Sequence, residues 1–290
     1  MIVKVAKNTG SCFGVDRSIQ KVKAACKKYK NVAVLGQLIH NKYAIDDLNK
    51  KFNIQTILDL NRTDLNEFDC LIIRSHGIGL DVRSKLSNYD LEIVDATCPK
   101  VKNVQKIASL LACKYNNVLI LGKAGHPEVE AVVSYITHSG ANYYIANNID
   151  QLKDIIQNKL LNLAFGVICQ TTQSMEFLKM SKKILDDSNL NYELVNTICN
   201  ATNIRQTCAQ EYSKKCDYAI VLGGLNSSNT KNLYKICKKN CKNTIHIEHQ
   251  SQLSKDMIEE IKKFNKIFIF GGASTPKYQI DSLKDYLLNL

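Results

Sequence analysis

The sequence predicts an α/β fold of three similar modules, in which parallel sheets are flanked by helices. Short apolar runs alternate with longer amphipathic segments along the whole chain, a rhythm typical of βαβ units. A second pattern, an apolar run followed by Asn or Asp, Thr and then Cys, occurs three times. Because no Pro- or Ser-rich linker separates the copies, we expect the modules to pack around a pseudo-threefold axis.

The elements follow from these runs in order. We expect strands at residues 2–6, 32–35, 70–74, 91–94, 117–121, 163–168, 192–195, 218–222 and 266–270. The amphipathic stretches between them predict helices that include residues 16–28, 100–114, 175–186, 204–215 and 230–240. Each predicted strand is short and apolar, which is typical of a sheet buried on both faces.

The repeat is sharper than the alternation of strands and helices. Each repeated Cys is followed 24 residues later by the Gly of a Leu-Gly pair: Cys12 by Gly36, Cys98 by Gly122, and Cys199 by Gly223. Three equal intervals indicate three copies of one supersecondary unit. The predicted modules are residues 1–97, 98–194 and 195–290.

Composition restricts the class of protein. The 290 residues are 45% hydrophobic, and no apolar run approaches the ~18 residues that a membrane span requires, so we expect no membrane insertion. Eleven cysteines without a C-x-x-C pair argue against a secreted disulfide framework and a thioredoxin-type motif. The net charge of +12 comes from scattered lysines, without Trp or a basic stripe. It favours an anionic ligand or an acidic protein partner over nucleic acid.

The ends of the predicted strands carry three cysteines that suit a soft metal centre. Cys12, Cys98 and Cys199 occupy equivalent positions, whereas each Cys taken alone would be read as a small buried apolar residue. A [4Fe–4S] cluster usually takes four Cys ligands, so three would leave one iron open to a substrate oxygen. Zinc with Cys₃His is the competing interpretation, although the closely spaced ligand pairs of structural zinc sites are absent.

Histidines and hydroxyl groups at the same strand ends suit a phosphorylated substrate. The set contains His40, His76, His126, Thr171, Thr172, Ser227, Ser228, Asn229 and Ser274. Residues 226–229 precede a predicted helix, where free N–H groups favour an anion, although taken alone they are better explained as an ordinary helix cap and turn. Glu128 is the one acid that we place in this set, and it is therefore the candidate proton donor.

Motifs in these regions resemble those of a known family. They lie at residues 10–17, 40–41, 75–77, 95–99, 125–130, 170–172, 199–202, 226–229 and 272–276. In this order they are similar to the LytB (IspH) family, the 4-hydroxy-3-methylbut-2-enyl diphosphate reductases that complete the non-mevalonate isoprenoid pathway. The resemblance runs essentially from end to end. Arg74, where a small or apolar residue is more usual, and Lys277, where Asp is usual, depart from the family pattern.

The resemblance implies a trefoil of three α/β modules around a [4Fe–4S] cluster held by Cys12, Cys98 and Cys199. The allylic hydroxyl of the substrate would bind the fourth iron and leave as water after two electrons and protons are delivered. The products would be isopentenyl and dimethylallyl diphosphate. It implies that the diphosphate is held by His40, His76, His126, Ser227, Ser228, Asn229 and Ser274. Glu128 would deliver protons, with Thr171 near the hydroxyl and His126 beside it in the catalytic group.

The resemblance further implies an acidic electron donor, ferredoxin or flavodoxin, which a basic surface would attract. We expect a soluble protein of the bacterial cytoplasm, or of a plastid or apicoplast stroma after removal of a transit segment absent from this chain. Two alternatives stay open. One is another three-Cys cluster enzyme, of the quinolinate synthase type; the other is a zinc- or cluster-bearing binding or electron-carrier protein without enzymatic activity.

Overall fold

The computed structural model describes residues Met1–Leu290 and contains twelve β-strands. In chain order they are β1 (Ile2–Val5), β2 (Val32–Leu35), β3 (Gln55–Ile57), β4 (Cys70–Ile73), β5 (Glu92–Asp95), β6 (Asn117–Leu121), β7 (Asn142–Ala146), β8 (Phe165–Cys169), β9 (Tyr192–Val195), β10 (Tyr218–Leu222), β11 (Thr244–Ile247) and β12 (Lys266–Gly271). All nine strands predicted from the apolar runs are present, with ends that differ by at most two residues.

Eleven α-helices connect the strands. They are α1 (Phe13–Lys28), α2 (Lys42–Phe52), α3 (Leu80–Leu86), α4 (Pro99–Tyr115), α5 (Pro127–His138), α6 (Ile149–Ile155), α7 (Met175–Asp187), α8 (Asn200–Tyr212), α9 (Ser228–Asn240), α10 (Lys255–Lys262) and α11 (Lys277–Leu288). None of these helices has the length and apolar character needed to cross a membrane.

The strands form three four-stranded sheets, and every strand pair in them is parallel. The strand orders are β1-β12-β10-β11, β3-β2-β4-β5 and β7-β6-β8-β9. In each order the strand that leads to a repeated Cys lies at one edge, and the strand that ends in Leu-Gly is the third strand from it. The predicted α/β class with three similar modules is therefore confirmed, while their trefoil arrangement stays a prediction.

Both faces of the central strands are buried, as expected for parallel sheets covered by helices. In β10, Ile220 lies in a core cluster with residues of α11, while Val221, on the opposite face, packs with residues of α9. In β6, Ile120 packs in one core cluster, and the next residue, Leu121, packs in another on the opposite face of the sheet. Because successive side chains of a strand point to opposite faces, a continuous apolar run fills both layers.

Three strands were not among those predicted, and all three occupy the same place. β3, β7 and β11 each lie at the edge opposite the strand that leads to Cys. Their sequences mix polar and apolar residues, because an edge strand contacts solvent along one side. In β7, for example, Asn142 and Tyr143 are exposed. No continuous apolar run therefore marks them in the sequence.

The chain divides into two compact units. The first comprises Met1–Asp16, Ile39–Ile54 and Asn200–Leu290, and contains the sheet β1-β12-β10-β11. The second comprises Arg17–Leu38 and Gln55–Cys199, and contains the other two sheets. Strand β1 belongs by sequence to residues 1–97 but pairs with β12, Ile2 opposite Lys266. The module boundaries at 97/98 and 194/195 stay a prediction.

Candidate functional site

All three repeated cysteines stand immediately before a helix. Cys98 caps α4, while Cys12 and Cys199 directly precede α1 and α8. Each is half-buried, and none forms a disulfide. Cysteines at three equivalent helix starts are candidate ligands for a soft metal.

The same backbone hydrogen bond fixes each cysteine. Its N–H donates to a carbonyl oxygen in the loop that follows the neighbouring strand, β12, β4 or β8. The three bonds, each 2.9 Å long, join Cys12 to Ala273, Cys98 to Ser75, and Cys199 to Thr171. Equal bonds at three repeats show that the cysteines are equivalent in local geometry as well as in sequence.

The turn before Cys98 is held by Asp95. One carboxylate oxygen accepts the N–H of Thr97 at 2.9 Å, and the other accepts Lys102 Nζ at 2.7 Å and an Arg83 nitrogen at 3.1 Å. Burial raises the pKa of Asp95, but the bonds from Lys102 and Thr97 outweigh it, and the net pKa is well below its usual range. The carboxylate is therefore ionised at neutral pH and orients this loop.

Glu128 is a buried carboxyl group bound to Thr171. The side chain is only 2% exposed, and its two oxygens accept the N–H and the hydroxyl of Thr171, both at 2.6 Å. Burial raises the pKa of Glu128, although the two bonds from Thr171 act in the opposite direction. Since the carbonyl of Thr171 accepts the N–H of Cys199, one residue links the carboxyl group to a predicted cluster ligand.

His126 caps the helix that carries Glu128. Its Nδ1 accepts the N–H of Glu128 at 3.2 Å, so Nε2 carries the proton of the neutral ring and points away from the helix. The ring of His76 lies edge-on to it, with centroids 5.6 Å apart. The N-terminal end of α5 therefore presents two imidazoles beside a buried carboxyl group.

In the first unit, His40 and Ser274 are joined through the backbone. The hydroxyl of Ser274 donates to the carbonyl oxygen of His40 at 2.9 Å. Gly224 permits this placement because a Cβ atom there would clash with the same carbonyl. Asn41, the cap of α2, donates its amide to Gln279 at 3.0 Å and fixes the loop from the other side.

The start of α9 contains a buried amide without a partner. Ser227 caps the helix by accepting the N–H of Thr230 at 3.3 Å. Asn229 is 2% exposed, yet neither its amide nitrogen nor its oxygen has a hydrogen-bond partner. A buried unsatisfied amide is costly, and a ligand that hydrogen-bonded to it would remove that cost.

Arg205, which the sequence analysis did not identify, holds the loop before Cys12. Its guanidinium donates to the carbonyl oxygens of Gly10 at 2.8 Å, Ser11 at 3.3 Å and Ala201 at 2.9 Å. The side chain is buried on helix α8. No local motif marks it, because two of its three partners, Gly10 and Ser11, lie almost 200 residues earlier in the chain.

Each compact unit gathers part of the predicted set. The first contains Cys12, His40, Ser227, Ser228, Asn229 and Ser274; the second contains His76, Cys98, His126, Glu128, Thr171 and Cys199. Two of the other three histidines have contacts elsewhere: His246 Nε2 bonds the carbonyl of Gly223, and His249 caps a short turn. Arg205 and Gly224 join the set on structural grounds alone.

These features define a parallel α/β protein whose strand ends carry cysteines outside any disulfide, a buried carboxyl group and polar groups suited to an anion. Residues 3–288 match the family model described as LytB protein. The chain belongs to the LytB family.

Curated relatives share more than a third of the sequence over nearly the whole chain. A protein of Nitratiruptor sp. is 34% identical over 283 residues, covering 98% of this chain and 97% of that protein. One of Thermoanaerobacter sp. is 38% identical over 288 residues, covering 98% and 95%. One of Clostridium tetani is 38% identical, but the chain spans only 42% of its length. All three are named 4-hydroxy-3-methylbut-2-enyl diphosphate reductase.

Two solved structures share the fold. One is (E)-4-hydroxy-3-methyl-but-2-enyl diphosphate reductase, described as the terminal enzyme of the non-mevalonate pathway, with 30% identity, a TM-score of 0.68 and full coverage of both chains. The other is the E-1-hydroxy-2-methyl-but-2-enyl-4-diphosphate reductase from Plasmodium falciparum. It is 29% identical with a TM-score of 0.88, and the match covers 99% of this chain and 88% of that one.

Proposed function

We propose that this protein is an oxidoreductase that removes the allylic hydroxyl of 4-hydroxy-3-methylbut-2-enyl diphosphate. The substrate takes up two electrons and two protons, the C–O bond breaks and water leaves. The product is isopentenyl or dimethylallyl diphosphate, depending on the carbon that is protonated. The observation that carries this proposal is the family match over residues 3–288.

The cofactor is a [4Fe–4S] cluster held by Cys12, Cys98 and Cys199. Their local geometry fits this group, since each cysteine is outside any disulfide, half-buried and placed at the positive end of a helix. The cluster supplies electrons, and three protein ligands leave one of its irons open. Cys199 is fixed through Thr171, whose hydroxyl and N–H are held by Glu128.

The diphosphate is bound by hydrogen-bond donors that lie at the strand ends and helix starts described above. We assign this role to His40, His76, His126, Ser227, Ser228, Asn229 and Ser274. The unpartnered amide of Asn229 and the first turn of α9 support it, because both provide donors for phosphate oxygens. His126 supports it through Nε2, which carries a proton while Nδ1 accepts the helix N–H.

Protons reach the substrate from Glu128. Burial raises its pKa, so this carboxyl group retains a proton at a higher pH than an exposed glutamic acid does. Thr171 orients the carboxyl through two hydrogen bonds and lies near the hydroxyl that leaves, with His126 at the same helix end. The proposed proton donor, Glu128, and the residue that orients it, Thr171, are thus already in contact.

We assign the electron supply to a ferredoxin or a flavodoxin in the bacterial cytoplasm, with a plastid or apicoplast stroma as the alternative. The net charge of +12 supports an acidic donor, since opposite charges speed encounter. The rate of reduction by such a donor should therefore fall as ionic strength rises.

Anaerobic purification followed by turnover with a reduced viologen dye tests the proposal. We expect a brown protein that contains iron and sulfide and consumes the allylic diphosphate. Cys98→Ser should lose iron, whereas Cys113→Ser, at an exposed position of α4, should retain it. Stoichiometric zinc without iron would contradict the cluster assignment, and an iron-loaded protein that leaves the diphosphate unchanged would contradict the reaction.

A further inference from the structure

A cavity of about 580 Å³ lies in the second compact unit, and none of the residues assigned above lines it. Its walls come from the ends of β2 and β4, the loop after β3, helix α3 and one side of α5 along most of its length. This volume is in the range of cavities that hold small organic ligands.

Arg74 lines the cavity as a cation without a counter-ion. It follows β4, and its guanidinium lies against Gly36, where a Cβ atom would clash with it. Its Nε is buried and has no hydrogen-bond partner, and the side chain forms no ion pair. Burial lowers the pKa of Arg74, and no carboxylate opposes this effect. A buried Nε–H group without an acceptor is costly, and an anionic ligand would supply one.

The acids of the cavity are already engaged elsewhere. Asp59 pairs with Arg62, Asp81 accepts the hydroxyl of Ser134 at 2.8 Å, and Glu130 accepts the N–H of Gly125 at 2.9 Å. None of them contacts Arg74. Its charge is therefore available to a ligand that brings an anionic group of its own.

The rest of the lining indicates an apolar body for that ligand. Ile78, Val82 and Ala131 face the cavity, and Leu58 at its rim is 80% exposed. A leucine this exposed keeps most of its apolar surface in water. A ligand in the cavity would bury part of that surface, which is favourable.

We propose that this cavity is a second ligand site, which takes a small organic anion whose carboxylate or phosphate pairs with Arg74 and whose apolar part packs against Leu58. The guanidinium fork matches either oxyanion with two parallel hydrogen bonds. Helix α5 connects this cavity to the proposed reaction centre, because Pro127 lines the cavity and the next residue, Glu128, carries the buried carboxyl group.

Isothermal titration calorimetry with hexanoate, hexyl phosphate and inorganic phosphate tests the site in the full-length, cluster-loaded protein. We expect at least one of the two hexyl-chain probes to bind, and Arg74→Gln to weaken it about tenfold or more. Lys153→Gln, which removes the same charge from an exposed helix position, should bind as the wild type does. The two organic probes distinguish a carboxylate from a phosphate ligand.

Two further variants separate this site from the proposed diphosphate site. Asn229→Ala should retain probe binding, whereas a loss in Asn229→Ala with full binding in Arg74→Gln would place the probe at the diphosphate site and overturn the proposal. Leu58→Asn tests the same cavity without altering the cation. It should weaken the hexyl probe about threefold while inorganic phosphate is unaffected. Absence of binding by every probe at about 10 mM would also overturn it.

Discussion

Replacement of Glu128 by Gln removes the proposed proton and little else. The two side chains have nearly the same shape, and the Gln oxygen can still accept the N–H of Thr171. The Gln amide nitrogen can donate to the Thr171 hydroxyl oxygen, which lies 2.6 Å from the second carboxylate oxygen, because a hydroxyl accepts as well as donates. The hydrogen bond is kept with its direction reversed, while the only acidic proton of this pair is lost.

The expected effects follow from that change. Loss of a positioned general acid lowers turnover about 10²- to 10⁴-fold. Both contacts with Thr171 can be kept, and a buried carboxyl group no longer has to be desolvated, so stability should change by about 1 kcal/mol or less. Cluster content and substrate affinity should stay near those of the wild type, since the diphosphate-binding donors are unchanged.

The pH dependence supplies a second readout. The pKa of Glu128 is raised by burial, so its protonated form persists above the ~4.3 of an unfolded Glu. Wild-type turnover should fall as pH rises through the folded pKa. The contribution of this group to stability has the same sign: it is fully present below the unfolded pKa and is lost as pH rises through the folded one. Glu128→Gln should lack both dependences.

Anaerobic turnover with a reduced dye, measured with iron content and substrate affinity, checks the prediction. Glu130→Gln is the matched control, because it lies in the same helix but binds the N–H of Gly125 away from Thr171. We expect it to remain within about threefold of the wild type. Wild-type turnover and pH profile in Glu128→Gln would refute the proton-donor role.

Three other changes have expected outcomes. Asn229→Ala should leave the thermal midpoint unchanged or raise it, because the substitution removes an unsatisfied buried amide. It should raise KM for the diphosphate about tenfold. A normal KM would contradict the binding role of Asn229. Arg205→Met should cost about 2–4 kcal/mol in denaturant unfolding and lower iron content, since it frees the carbonyl of Gly10, and Arg205→Lys should recover part of both. Asp95→Asn should cost about 1–3 kcal/mol near neutral pH, because it loses the ion pair with Lys102. The pKa of Asp95 is lowered, so wild-type stability from this group should be lost as pH falls below ~3.9, a slope that unfolding of Asp95→Asn at several pH values should lack.

Much of the fold could be predicted because its central strands are buried on both faces. Strands such as Val32–Leu35 and Tyr218–Leu222 are continuous apolar runs, and the structure confirms their bounds. The edge strands Gln55–Ile57 and Thr244–Ile247 escaped, because solvent on one side permits polar residues. All six central strands were identified, together with the edge strands β1, β5 and β9.

The candidate site, too, could be predicted from the sequence only in part. The 24-residue spacing identified Cys12, Cys98 and Cys199 as equivalent, and the structure shows the same hydrogen bond at each. Arg205 could not be found, because an arginine is informative only when its partners are known. Arg74 was noticed as an unusual residue, but its lack of a counter-ion became visible only in the folded chain.

The sequence by itself determined the rhythm of strands and helices and the three cysteines at strand ends, because both are encoded within a few neighbouring residues. Only the tertiary structure decided that Ile2 lies opposite Lys266, and that the buried carboxyl group of Glu128 is bound by Thr171. These contacts join segments far apart in the chain. Their energies come from packing and desolvation, which exist only when the distant segments meet.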